Sequence, residues 1–142
     1  MEAILVDTDV ASFLFKRDTR AELYRRHLSG KLVVLSFMSL GEMYRWAEER
    51  NWGKPRRQQL EQHLRNFVTR GFSRELCRTW ARVMAQAKRN GHELENADGW
   101  VAATAVLHNI PLVTHNARHY RGVDGLKVIC GNGRAGGEAP GT

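Results

Sequence analysis

The sequence predicts an α/β fold with a mainly parallel central sheet. Two observations predict it. Short apolar runs, partly β-branched, recur at residues 2–6, 32–35, 111–114 and 127–129. Stretches with helical periodicity separate them. Strands that alternate with helices assemble into a parallel sheet joined by crossover helices.

Each element has its own local reason. Ala3-Ile4-Leu5-Val6 has the composition of a buried strand. Residues 10–15 read as helix, and residues 18–29 as a polar helix that Ser29-Gly30 ends. Leu32-Val33-Val34-Leu35 is a second buried strand, followed by a helix over about 38–50. Asn51-Trp52-Gly53 breaks that helix. Pro55 suits a helix's first turn, and Leu60, Leu64, Phe67 and Val68 give the new helix an apolar face. Residues 74–90 are the clearest helix. Leu76, Trp80, Val83, Met84 and Ala87 form its buried stripe. Asn90-Gly91 ends it, and Asn96 is placed to cap a helix over 97–108. Pro111-Leu112-Val113-Thr114 is the third strand and Lys127-Val128-Ile129 the fourth.

A chain of 142 residues makes one domain, here residues 1–130. Residues 131–142 hold five glycines and a proline and are expected to be a disordered tail. Cys77 and Cys130 make neither a disulfide framework nor a zinc motif. The start Met1-Glu2-Ala3 lacks the basic segment of a secretory leader. No run approaches the ~18 apolar residues of a membrane span. A cytoplasmic location without membrane contact is the expectation.

Three acids carry the chemistry. Asp7 follows the first strand, Glu42 follows the second strand after a serine-containing turn, and Asp98 opens the apolar stretch Trp100 to Leu107. Ligands of parallel sheets bind outside the carboxyl ends of the strands. Carboxylates brought together there repel unless some are protonated or a cation lies among them. Each acid has a bland reading as well. Asp7 suits a helix N-cap, Ser39 to Glu42 fits a capping box, and the helix dipole favours Asp98 in a first turn. Three such acids at strand–helix junctions nevertheless point to a divalent-metal site. Mg²⁺ and Mn²⁺ take oxygen ligands, lower the pKa of bound water and stabilise charge on phosphoryl oxygens. Phosphodiester hydrolysis needs nothing further from Ser or Cys.

The net charge of +7 points to a polyanionic partner. Residues 54–89 hold ten Lys or Arg against the two acids Glu61 and Glu75. Arg70, Arg74, Arg78 and Arg82 recur every four residues. On a helix the last three form a ridge with few acids to pair with, which suits phosphate contacts. Of the six histidines, His115 and His119 flank the proposed site, where surface placement is expected. Trp80 and Trp100 read as core.

Four segments together resemble a PIN-domain ribonuclease, specifically the VapC-type toxin of a toxin–antitoxin pair. They are Ile4 to Val10, Leu35 to Met43, Asn96 to Ala105 and Pro111 to Tyr120. The resemblance covers about residues 3–130. It implies a PIN-like α/β/α sandwich, Mg²⁺- or Mn²⁺-dependent endonuclease activity on RNA, a homodimer, and a small VapB-like antitoxin that covers the site. By the same analogy the RNA includes tRNA. Asp7, Glu42 and Asp98 would be the catalytic, metal-binding acids, with Asn116 as a fourth ligand. Thr8, Asp9, Ser36 and Thr114 would orient ligands or waters behind them. Asn116 and His119 stand where many relatives carry acids. Their lower charge implies one protein-bound cation, with a second arriving with the RNA.

Two other readings compete. A phosphatase of the haloacid-dehalogenase type also opens with a strand and Asp-x-Asp, but it needs a lysine and a late acidic pair. A catalytically weak PIN domain would instead bind nucleic acid with its antitoxin as a repressor.

Overall fold

The computed structural model describes residues 1–131. The expected disordered tail lies outside the described residues, apart from Gly131. The chain runs β1 (Ala3–Val6), α1 (Thr8–Lys16), a 3₁₀ turn (Thr19–Ala21), α2 (Glu22–Leu28), β2 (Leu32–Ser36) and α3 (Phe37–Glu49). It continues with α4 (Lys54–Leu64), β3 (Val68–Arg70), α5 (Arg74–Arg89) and α6 (Asn96–His108). β4 (Leu112–Val113), a second 3₁₀ turn (Ala117–Tyr120) and β5 (Val128–Ile129) complete it. The strands form one parallel sheet in the order β3-β2-β1-β4-β5.

Successive strand residues point to opposite faces, and here both faces are covered. Ile4, Val6, Leu35 and Val113 pack with Val10, Met43 and Leu60 of α1, α3 and α4. Their neighbours Leu5, Val34 and Leu112 pack with Val83, Val101 and Ala105 of α5 and α6. Two apolar layers around a doubly buried sheet explain why the strands read as continuous apolar runs. The architecture is the expected α/β/α sandwich.

Several local expectations are corrected. There are five described strands rather than four. Val68 belongs to β3, not to the apolar face of the preceding helix, which ends at Leu64. β3 is three residues long, and its Thr69 and Arg70 are exposed. An edge strand with a polar outer side carries little apolar alternation. The helix expected over 18–29 begins as a 3₁₀ turn, because the Asp18 side chain accepts from Arg20 N at 2.9 Å. Asn96 lies inside α6, and Glu95 occupies the N-cap without a side-chain cap bond.

Register fixes the carboxyl edge. Val6 pairs with Leu35 on one side and Val113 on the other. The next residues, Ser36, Asp7 and Thr114, therefore form one row along that edge. Ser36 pairs with Arg70, which extends the row to β3. At one strand spacing per step, the Arg70 backbone lies roughly 10 Å from that of Asp7.

Gly122 holds the loop after the second 3₁₀ turn against α5. Its carbonyl accepts from Asn90 Nδ2 at 2.9 Å. A Cβ at this position would lie 2.7 Å from the His92 carbonyl oxygen and 3.1 Å from Ala87 Cα. Backbone atoms cannot move aside as a side chain can. Gly122→Ala should therefore lower stability by about 1–3 kcal/mol, measured by urea unfolding. A variant of unchanged midpoint and slope would show that the loop is not clamped there.

Candidate active site

Asp7 occupies the central strand's carboxyl end and is 6% exposed. It caps α1, its Oδ1 accepting from Val10 N at 3.0 Å. Its Oδ2 accepts from the Thr114 hydroxyl across the β1–β4 pair. The capping and functional readings of Asp7 are thus compatible. Burial pushes its carboxyl up to about 6, and Asp9 and Asp98 add to the rise. The two hydrogen bonds oppose the rise without cancelling it.

The other acids are each held by a neighbour. The Thr8 hydroxyl donates to Glu42 Oε1 at 2.6 Å, and its oxygen lies 2.8 Å from Ser39 Oγ. The capping box expected of Ser39 and Glu42 is not formed. Ser36 caps α3 instead, accepting from Met38 N at 3.1 Å, and Ser39 lies buried within the helix. This frees the Glu42 carboxylate for the cavity. Asp98, in the first turn of α6, meets the Tyr120 hydroxyl at 3.4 Å and His119 Nδ1 at 3.3 Å. Burial raises its carboxyl, while His119 lowers it. Gly99 brings α5 close behind this turn; a Cβ there would lie 3.0 Å from Trp80 Nε1. Asn116 Nδ2 donates to Asp9 Oδ2 at 3.0 Å, and Asn116 N donates to Thr114 Oγ1 at 3.0 Å.

These groups line one cavity of about 130 Å³. Its carboxylates are Asp7, Asp9, Glu42, Glu95 and Asp98, joined by Asn116. Among the described residues, no Lys or Arg lines it. A larger groove, about 870 Å³, lies between α1, α2 and α4, and no carboxylate is among its described lining residues. The small cavity is the chemical one, because it gathers five carboxylates with no Lys or Arg among its described lining residues. Its donors are carboxylate, amide and hydroxyl oxygens, the set that hard divalent cations prefer. Uncompensated acid charge at a partly buried edge favours such an ion further. Among the described residues, no three acidic, histidine or cysteine side chains already stand in ligating positions. Asp7, Asp9, Glu42 and Asp98 are each turned toward a hydrogen-bond donor instead.

The structure thus brings together Asp7, Thr8, Asp9, Glu42, Asp98 and Asn116 at the cavity. Thr114 and Ser36 stand behind it, one bonded to Asp7 and the other starting the helix that carries Glu42. Arg70, Arg74, Arg78 and Arg82 do not line it. Arg70 is on β3 at the carboxyl edge. Arg74, Arg78 and Arg82 lie on the exposed side of α5, opposite its buried Leu76, Val83 and Ala87. Trp80 and Trp100 are partly buried and stack on each other at 4.7 Å. Sequence reasoning missed Glu95, Trp46 and Tyr120. Glu95 carried a signal, since it precedes Asp98 by three residues at a helix start. Tyr120 carried none, because only the second 3₁₀ turn brings its hydroxyl to Asp98.

Residues 4–125 match the PIN domain family. The chain belongs to the PIN domain family. The VapC ribonuclease Y4jK of Sinorhizobium fredii is 38% identical over 58 residues, 41% of either chain. The ribonuclease VapC1 of Methanocaldococcus jannaschii is 28% identical over 127 residues, 88% of this chain and 85% of that one. The structure of VapBC2 from Rickettsia felis, bound to a DNA fragment from their promoter, superposes with a TM-score of 0.78. That match is 17% identical and covers 90% of this chain and 98% of the other, so it speaks for the PIN fold. With this family match and no lysine in the cavity, the haloacid-dehalogenase reading falls away.

Asp7 gives this PIN domain a signature in pH. Its folded pKa of about 6 lies above the ordinary 3.8. Between these two values the native chain therefore holds a proton that the unfolded chain has lost. That contribution is complete below pH 3.8 and disappears as pH rises through about 6. In chelator at pH 7.5, Asp7→Asn should be more stable than the parent by on the order of 1–3 kcal/mol. Asn keeps the N-cap, and the gain should shrink toward pH 4. Thermal melts across this range test it; an Asn variant less stable at every pH would contradict the buried-charge account.

Proposed function

We propose that this chain is a Mg²⁺- or Mn²⁺-dependent endoribonuclease that acts as the toxin of a toxin–antitoxin pair. The observation that carries this reading is the cavity of five carboxylates without Lys or Arg, in a chain of net charge +7. Acids and bases are segregated, as a metal site facing a polyanion requires. The names of the two ribonuclease relatives support the RNA substrate.

Asp7, Glu42, Asp98 and Asn116 would hold the cation. When bound, it would lower the pKa of a water and stabilise charge on a phosphoryl oxygen. The chain's own residues do the positioning. Thr114 and Val10 N orient the two oxygens of Asp7. Thr8 turns Glu42 inward, and Tyr120 with His119 fixes Asp98. Asp9 holds the Asn116 amide by its nitrogen, so the amide oxygen is the atom left for an ion.

Arg74, Arg78 and Arg82 span roughly 12 Å along α5 and form no ion pair among the described residues. They supply a track for the RNA backbone. The large groove suits the antitoxin. Lys16, Arg17, Arg25 and Arg56 rim it, with Arg25 paired to Glu22 at 2.7 Å, Phe15 and Phe67 contribute to its apolar surface, and no acid is among its described lining residues. An amphipathic segment with acidic residues fits that chemistry.

A second reading follows from neutral Asn116 and from the promoter-bound VapBC2 complex. Here the chain is a weak nuclease that binds nucleic acid with its antitoxin as a repressor. Cleavage decides between them. Purified antitoxin-free protein should cut RNA with Mg²⁺ or Mn²⁺ and stop with EDTA. Asp7→Asn and Asp98→Asn should each abolish cutting while retaining RNA binding. Intact RNA across several substrates would favour the repressor, and cleavage by both variants would place the chemistry elsewhere.

The ridge has its own test. Replacing Arg74, Arg78 and Arg82 with Gln should flatten the slope of log affinity against log salt by about 2. RNA binding read by fluorescence anisotropy measures it. An unchanged slope would assign the ridge to solvent or to a protein partner.

A further inference from the structure

Trp46 lines the acid cavity one helical turn beyond Glu42 on α3. Side chains four residues apart on a helix share a face, with Cβ atoms roughly 6 Å apart. Tyr120, the other large aromatic of the lining, is 2% exposed and engaged with Asp98, whereas Trp46 is only partly buried. The Lys16 ammonium and the Arg50 guanidinium lie over the Trp46 ring, 5.8 and 5.4 Å from its centre. Both side chains are exposed, and neither forms an ion pair among the described residues. Lys16 also rims the larger groove. A cavity whose described lining holds no Lys or Arg thus has one of each across a single aromatic ring at its lip.

We propose that Trp46 stacks the base of the nucleotide beside the scissile phosphate and makes the site prefer a purine there. This rests on the nuclease reading above. A phosphate held among the acids would bring its own base within reach of a ring one turn away. The cations over that ring do not close it to a base. An exposed cation–π contact is weaker than base–aromatic stacking. A displaced Lys16 or Arg50 also gains a backbone phosphate in exchange. An aromatic ring beside cations that follow the backbone is how single strands are commonly held. Purines offer a larger ring surface than pyrimidines, so stacking on Trp46 favours them.

The test uses the whole chain in the non-cutting Asp7→Asn background with Mg²⁺. The probes are octamers of adenylate, of uridylate and of abasic ribose phosphate, read by fluorescence anisotropy. Adenylate should bind more tightly than uridylate and about tenfold more tightly than the abasic strand. Trp46→Leu should erase these differences, and Trp46→Phe should keep most of them. Adenylate should also quench tryptophan emission, and Trp46→Phe, which retains Trp52, Trp80 and Trp100, should lose that quenching. Equal affinity for adenylate and abasic strands, a preference that survives Trp46→Leu, or quenching that survives Trp46→Phe would overturn the stacking. Metal-dependent cutting by the parent would then still stand. No binding of any strand, together with no cutting by the parent, would overturn both.

Discussion

The buried carboxylate of Asp7 is the constraint around which the rest is arranged. It ends the central strand, between β2 and β4. Burying a carboxylate is costly unless hydrogen bonds or an opposite charge offset the lost water. The chain supplies a backbone amide from α1 and a hydroxyl from the strand beside it. Both come from the parallel register itself, which sets Thr114 next to Asp7 and starts α1 directly above it. Even so, its carboxyl remains raised to about 6. The fold thus keeps a charge that it only partly compensates.

The surrounding acids follow the same rule. Glu42 is met by Thr8 and Asp9 by Asn116, both neutral donors. Asp98 is met by Tyr120 and by a histidine. Neutral donors orient carboxylates without cancelling their charge. A Lys or Arg in the same place would form an ion pair and occupy the oxygens. The absence of such residues from the cavity lining matters as much as the presence of the acids. It leaves a negative site inside a basic protein, with its arginines displaced to α5, β3 and the rim of the large groove.

That separation has a functional logic. A polyanion is drawn to the exposed arginines but repelled by bare carboxylates, so a cation between them would reconcile RNA with the acids. On the proposed function, the basic rim of the larger groove would suit an acidic, amphipathic partner.

The sequence by itself determined the α/β alternation, most helix bodies and the identity of the strand-end acids. These depend on local composition and periodicity, which neighbouring residues carry. It also carried Thr8, Asp9, Ser36 and Thr114, through the resemblance of their segments to a PIN domain. Tertiary structure alone decided what those residues do. Ser36, not Ser39, caps α3, because that choice depends on where the helix leaves the sheet. β3 was invisible because three residues at a sheet edge are defined by pairing with β2, not by their own pattern. Tyr120 and Glu95 joined the site because α6 and the second 3₁₀ turn meet across many residues of sequence. The ridge of Arg74, Arg78 and Arg82 was legible as a helix face, while the place of Arg70 at the sheet edge was decided by the pairing of β3 with β2. Local pattern fixes which way a side chain faces on its own element. Only the packing of elements fixes what it meets there.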